Sequence, residues 1–235
     1  MGTGTEHTVK AFDEDIGELR GLISEMGGRA ESAIIAAMDA LIKRDNEAAR
    51  RIVAEDRRID ELESAIEKAA VRIIALRAPM ADDLREVVAA IKIAGVIERI
   101  GDYAKNIAKR VPLIESKRKI EPLSLIPAMA RTATEMVHDV LDAYAARDAA
   151  KAVKVVDTDH IVDDFYNSIF RTLVTFMMEN PQTIGEAAHL LFVAKNLERV
   201  GDHATNVAEM VYYAATGEYL VDRERGEDPA APQGN

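Results

Sequence analysis

The sequence has no cysteine and no tryptophan, and only 5% of its 235 residues are aromatic. Without cysteine there is no disulfide framework, no thiolate metal site, no iron–sulfur cluster and no cysteine nucleophile. Any metal must be held by oxygen or by histidine. Basic charge is scarce too: 30 Lys and Arg stand against 41 Asp and Glu, a formal net charge of −11 with a pI near 5.0. Such a surface repels nucleic-acid phosphates, so no nucleic-acid partner is expected. The longest apolar runs, such as Ala33–Met38 and Met210–Ala215, fall far short of the roughly 20 residues of a membrane span. No direct membrane insertion is expected. The start, Met1-Gly2-Thr3-Gly4-Thr5-Glu6, lacks a basic then apolar export signal, which predicts a cytoplasmic protein. Phosphate loops, Gly-x-Ser-x-Gly elbows and His-Glu-x-x-His helices are likewise missing, and catalysis has little to stand on.

What is present is helix chemistry. The chain is 48% hydrophobic, its 7 prolines are spread thinly, and apolar residues recur at three- and four-residue steps. Breaks fall at Arg44-Asp45-Asn46, Ala78-Pro79-Met80, Pro112 to Pro127, Arg147-Asp148 and Asn180-Pro181, where proline stops or opens helices and Asp or Asn caps them. These predict six long helices. The polar, proline-rich end after Thr216-Gly217 has the composition of a disordered tail.

The chain is also written twice. Glu98-Arg99-Ile100-Gly101-Asp102-Tyr103-Ala104-Lys105-Asn106-Ile107-Ala108 recurs as Glu198-Arg199-Val200-Gly201-Asp202-His203-Ala204-Thr205-Asn206-Val207-Ala208, with seven of eleven positions identical. Arg44-Asp45 aligns with Arg147-Asp148 and Asp56/Asp60 with Asp159/Asp163, at an offset of 103. Each half supplies three amphipathic helices, so the expected fold is all-α: two tandem, internally repeated three-helix bundles, spanning 8–118 and 122–217, followed by a tail over 218–235.

At about 100° per residue, Glu198, Asp202 and Asn206 share one face of the last helix, turned roughly 110–170° away from its apolar stripe. Asp159 and Asp163 lie at i and i+4 on the preceding helix, so two acidic pairs border one groove. The first half repeats the set as Glu98, Asp102 and Asn106 against Asp56 and Asp60. Like charges at i, i+4 repel, and a counter-cation is expected. Hard cations with oxygen ligands, such as iron, manganese or magnesium, suit carboxylates better than zinc or copper. Solvated helix faces with ordinary Arg99 and Arg199 ion pairs are the bland alternative. Gly101 and Gly201 sit between the acids, where glycine costs about 1 kcal/mol against alanine. That cost, met twice at one place, points to close backbone approach or ligand access.

Glu135-x-x-His138 and Glu186-x-x-His189 match the spacing of di-iron bundles, which would make a metal enzyme or an iron store. Drawing the fourth helix with Met129, Ala133 and Met136 inward turns Glu135 and His138 roughly 140–160° from the core, against that reading. His160 and His203 remain peripheral candidates. The Phe165, Phe170, Phe176, Met177 and Met178 stripe reads as core or interface. A third reading is a plain helical scaffold that dimerises through apolar flanks.

The paired motifs Glu98-Arg99-Ile100-Gly101-Asp102 with Asn106 and Glu198-Arg199-Val200-Gly201-Asp202-His203 with Asn206, together with Ile126-Pro127-Ala128-Met129 opening the second half, resemble the PhoU family of phosphate-transport accessory proteins. The likeness runs from about Phe12 to Tyr219. It implies a metal cluster on each bundle, held by Glu98, Asp102, Asp56 and Asp60 in one and Glu198, Asp202, Asp159 and Asp163 in the other, with Asn106 and Asn206 flanking. It further implies a homodimeric, non-enzymatic cytoplasmic regulator. Its partners would be the ATPase subunit (PstB-like) of the phosphate ABC transporter and the phosphate sensor histidine kinase (PhoR-like), both restrained when phosphate is plentiful.

Overall fold

The computed structural model describes residues 3–114 and 124–220. Seven α-helices run through them: α1 (Thr3–Lys43), α2 (Asn46–Glu55), α3 (Arg57–Arg77), α4 (Asp82–Ala108), α5 (Ile126–Ala146), α6 (Ala149–Glu179) and α7 (Ile184–Thr216). Single 3₁₀ turns at Val111–Leu113 and Pro181–Thr183 mark two of the proline breaks. No strand occurs among the described residues, and none of their helices is long and apolar enough to cross a membrane. The boundaries expected at 118 and 122, and 221–235 of the expected tail, lie outside the described residues. Of the tail's first residues, Tyr219 stacks on Tyr213 with ring centroids 4.5 Å apart.

The helix ends repeat as the sequence does. Arg44 (φ 56°) and Arg147 (φ 53°) both take the left-handed conformation that ends a helix. The next residue caps the following helix: Asp45 accepts from the amides of Glu47 and Ala48, and Asp148 from that of Lys151. One boundary differs from the six-helix expectation. The second helix is divided into α2 and α3 at Asp56, which keeps helical angles (φ −52°, ψ −36°). Its carbonyl accepts from Ile59 at 2.8 Å and from Asp60 at 3.4 Å, a tightened i to i+3 turn that breaks the regular ladder. Asp159, its counterpart, lies inside unbroken α6.

The apolar stripes of α4 and α7 form the centre. Ile93, Ile97, Ile100 and Ile107 on α4, and Leu190, Ala194, Leu197 and Ala204 on α7, are fully buried. Helix α4 packs on α1, α3 and α7, and α7 packs on α4, α5 and α6. The fold is thus two repeated three-helix bundles, as expected, but they share one continuous core. Helices α1 and α5 also meet, in antiparallel sense: Gly27 lies against Leu141, where an added Cβ would fall 2.3 Å from Leu141 Cδ2, while Glu31 meets His138.

Candidate functional site: two acidic seams

In the first repeat the site lies along the seam between α3 and α4. Gly101 brings the backbone of α4 against the start of α3: an added Cβ would stand 2.8 Å from Ile59 Cδ1 and 3.7 Å from Asp56 Oδ1. Gly201 does the same in the second repeat, 3.3 Å from Asp159 Oδ1 and 3.4 Å from Val162 Cγ1. The two interior glycines therefore serve close approach beside the equivalent aspartates. All eight expected carboxylates border these seams, Asp56, Asp60, Glu98 and Asp102 in one and Asp159, Asp163, Glu198 and Asp202 in the other. Asp60 and Asp202 are exposed as the helical drawing suggests, but others are less outward. Asp56 is buried at 8% exposure, and the Glu198 side chain retains only 13%. The reason is that the neighbouring helix covers a flank which a single-helix projection leaves in solvent.

Charge compensation is where the repeats part. In the first seam Lys105 Nζ reaches Asp56 Oδ2 at 2.5 Å and also contacts Asp102 Oδ1. Burial pulls its ammonium down, and the hydrogen bonds to Asp102 and Asp56 outweigh that, so its pKa is raised. At the equivalent place the second repeat has Thr205, which is buried with no hydrogen-bond partner for its hydroxyl. The second seam has its ammonium at the opposite end: Lys195 Nζ lies 2.6 Å from Glu198 Oε1 and 5.0 Å from the Tyr166 ring centroid. There the first repeat carries Gly95, with Glu63 beside it. Lys105, Lys195, Tyr166 and Glu63 were not singled out from the sequence, since a search for identity between the copies passes over positions where the copies differ.

Five seam carboxyls, Asp60, Glu63 and Glu98 in the first seam and Asp163 and Glu198 in the second, hold their protons more tightly than usual. Burial raises Asp60, then the Asp56 charge; burial raises Glu98, then Asp102 and Glu63; burial raises Glu63, then Glu67 and Asp60. In the second seam Asp163 is raised by burial first and by the neighbouring Asp202 charge second. Burial raises Glu198 as well, against its hydrogen bond from Lys195. As placed, no three His, Asp or Glu groups among the described residues converge as a metal-binding set. The first seam does not fit a metal at Asp56 and Asp102, because Lys105 stands between them. The second offers oxygen donors without that ammonium, with Glu198 Oε2 and Thr205 Oγ1 both buried and lacking hydrogen-bond partners.

The seams meet across the core. Tyr103 and His203, equivalent positions of the two repeats, stack with centroids 5.3 Å apart and join Oη to Nε2 at 3.0 Å. Burial, then Arg99, holds His203 below the usual histidine range. Asn206 meets His203 Nδ1 at 3.2 Å and so supports the stack, while Asn106 lies half-buried on the same face of α4. The Glu-x-x-His pairs do not form a core site. Glu135 and His138 are exposed on α5, His138 facing Glu31 at 3.4 Å, and His189 lies 3.4 Å from Arg110. His160 bonds the carbonyl of Asp157 at 2.8 Å.

A separate groove of about 660 Å³ follows α1 and α5. Ile35 and Ile42 line it while more than half exposed, and its edges carry Glu31, Asp39, Glu135 and Asp139.

Comparison with known proteins covers both repeats. The PhoU domain model matches residues 23–111 and again 126–211. A phosphate-specific transport system accessory protein PhoU homolog of Zymomonas mobilis is 56% identical over 229 residues, covering 97% of each chain. One from Caulobacter vibrioides is 47% identical, covering 93% of this chain and 96% of its own. The crystal structure of PhoU from Pseudomonas aeruginosa superposes with a TM-score of 0.84 at 35% identity, over 88% of this chain and all of that one. The phosphate transport system regulatory protein PhoU from Streptococcus pneumoniae gives the same score at 28% identity, over 89% and 99%.

Proposed function

The chain belongs to the PhoU family, and from that premise we propose that it is a cytoplasmic negative regulator of phosphate uptake and phosphate-starvation signalling. In this reading it binds the ATPase subunit of the phosphate ABC transporter and the phosphate sensor kinase, and restrains both when phosphate is plentiful. The observation that carries the proposal is end-to-end likeness, across both repeats, to proteins named as accessory to phosphate-specific transport. Those relatives carry an accessory protein's name, and the reading is regulatory rather than enzymatic. Regulation of this kind needs only that the protein bind two states of a partner with affinities differing by about 1–3 kcal/mol.

Two surfaces support the reading. The α1–α5 groove joins an apolar floor to carboxylate edges, which suits a basic amphipathic segment of a partner. At the α3–α4 tip, Leu76 and Met80 are 70% and 79% exposed, which suits self-association as a homodimer. A hard cation, where bound, would neutralise carboxylates of the second seam and add positive charge to an acidic face; Asp159, Asp163, Glu198 and Asp202 are the residues that would hold it.

The test is capture. Immobilised transporter ATPase and the cytoplasmic part of the sensor kinase should each retain this chain, and Glu135→Arg/Asp139→Arg should weaken at least one capture by about tenfold. A strain lacking the chain should express starvation genes in high phosphate and return to repression on complementation. Failure of both captures, with unchanged expression, would overturn the proposal. Light scattering at working concentration decides the homodimer.

A further inference from the structure

At the end of the first repeat where α2 begins and α4 stops, a concavity of about 340 Å³ lies between those helices and the Val111–Leu113 turn. Ala49, Val53, Ala108 and Pro112 give it an apolar floor, and Arg50 and Lys109, both exposed, line it as well. Neither cation has an ion-pair partner among the described residues. Their neighbours do: Lys43 is held by Asp39 at 2.8 Å and Arg51 by Glu47 at 3.2 Å, each one helical turn away. One turn before Arg50 stands neutral Asn46, and one turn before Lys109 stands another ammonium, Lys105, itself taken by Asp56 and Asp102. Arg110 adds a third cation at this end, with His189 at 3.4 Å and the Phe192 ring centroid at 4.5 Å rather than a carboxylate.

On a chain of net charge −11, this is a local reversal of sign, which draws an anion to one place and repels it elsewhere. Lys109 follows the C-terminus of α4, where a cation suits the helix dipole, but Arg50 in the middle of α2 has no such reason. Nor does the repeated fold require the pair. The second repeat carries Val153, Glu209 and Tyr212 at the places of Arg50, Lys109 and Pro112. A guanidinium presents a planar fork of donors and an ammonium a mobile point charge, which together suit the oxygens of a phosphate group. The apolar floor beside them suits a ring or chain attached to that phosphate, and the volume falls within the range of small-molecule sites, about 300–1,000 Å³.

We propose that this concavity binds a phosphate-bearing small molecule, Arg50 and Lys109 holding the phosphate and Ala49, Val53 and Pro112 carrying its apolar part. One cation comes from α2 and the other follows α4, so the ligand ties the short helix α2 to α4, and does so in the first repeat alone. The site is apart from the acidic seams and from the α1–α5 groove, and it stands whether or not those take a cation or a partner.

The test is calorimetric titration of the full-length protein with AMP, adenosine and inorganic phosphate, beside flotation with vesicles of phosphatidylglycerol and phosphatidylcholine in equal parts. AMP should bind at least about tenfold more tightly than adenosine, and Arg50→Gln/Lys109→Gln should weaken AMP by at least about tenfold. Lys43→Gln/Arg51→Gln, which removes the same charge from paired cations, should leave binding within about twofold. Hydrogen exchange with AMP present should slow at amides 46–55. Inorganic phosphate that binds as well as AMP and is lost in the first double variant would support the site and make phosphate itself the ligand. Vesicle binding lost in that variant and displaced by AMP would support it with a lipid headgroup as the source. Affinities all weaker than about 1 mM would overturn the proposal. So would equal binding of adenosine, or equal losses in the two double variants. Capture by the transporter ATPase or the kinase can succeed or fail independently of these outcomes, and thermal melts confirm that each variant is folded.

Discussion

Among single side chains, Tyr144 carries a stability consequence that depends on pH. It is buried on α5 at 5% exposure, and its hydroxyl has no hydrogen-bond partner. Burial, then the charge of nearby Glu86, raises its pKa. In the unfolded chain a tyrosine ionises near pH 10, about where the folded protein still keeps this proton. The folded state then binds more protons than the unfolded one, so the associated stability is complete below about pH 10 and is lost as pH rises beyond it. Tyr144→Phe removes an unsatisfied hydroxyl, and is expected to stabilise the protein by about 1 kcal/mol at neutral pH. It should also flatten the alkaline decline. Melts of both proteins at pH 7.5 and 10.5 check this, and a lower Tm for the variant at pH 7.5 would sink it. At this scale the sequence was legible where the copies agree. The eight acids stand out because each appears twice, whereas Lys105 and Lys195 became visible only when the fold placed them against those acids.

Helices were legible because their signals are local. Asp45 and Asp148 cap, Arg44 and Arg147 terminate, and proline opens α5. The division at Asp56 was not, because its angles remain helical and only the hydrogen-bond ladder changes. Glycine offers a test of the same distinction between local and tertiary cost. Gly28 on α1 has nothing within 4 Å of an added Cβ, whereas at Gly101 that atom would lie 2.8 Å from buried Ile59. Gly28→Ala should therefore gain the helical preference of about 1 kcal/mol. Gly101→Ala should lose that gain to overpacking and come out destabilised by about 1 kcal/mol. Chemical denaturation of the two variants beside wild type decides it; equal gains would mean that Ile59 yields freely and that Gly101 is not held by close approach.

Over the whole molecule, the periodicity led to two bundles side by side, and it could not say how much they share. An apolar stripe read along one helix shows that a face is covered, not which helix covers it. The structure answers through α4 and α7, whose stripes close one core across both repeats. It adds a polar clamp at the edge of that core. Glu86 on α4, 6% exposed, meets Arg20 of α1 at 2.5 Å and Arg147, at the α5–α6 turn of the other repeat, at 3.3 Å. Removing a buried carboxylate leaves two guanidinium groups without it, a cost usually of about 3–5 kcal/mol. Both arginine side chains here retain a third or more of their exposure, 33% and 42%, so Glu86→Ala should cost nearer about 2 kcal/mol. Because the core continues beneath the clamp, that loss should lower the Tm without separating the repeats. Scanning calorimetry of wild type and Glu86→Ala should give one transition each, with calorimetric and van't Hoff enthalpies in agreement. Two resolved transitions in the wild type would mean that α4 and α7 do not couple the repeats. Two in the variant alone would mean that Glu86, rather than the shared core, makes them one unit.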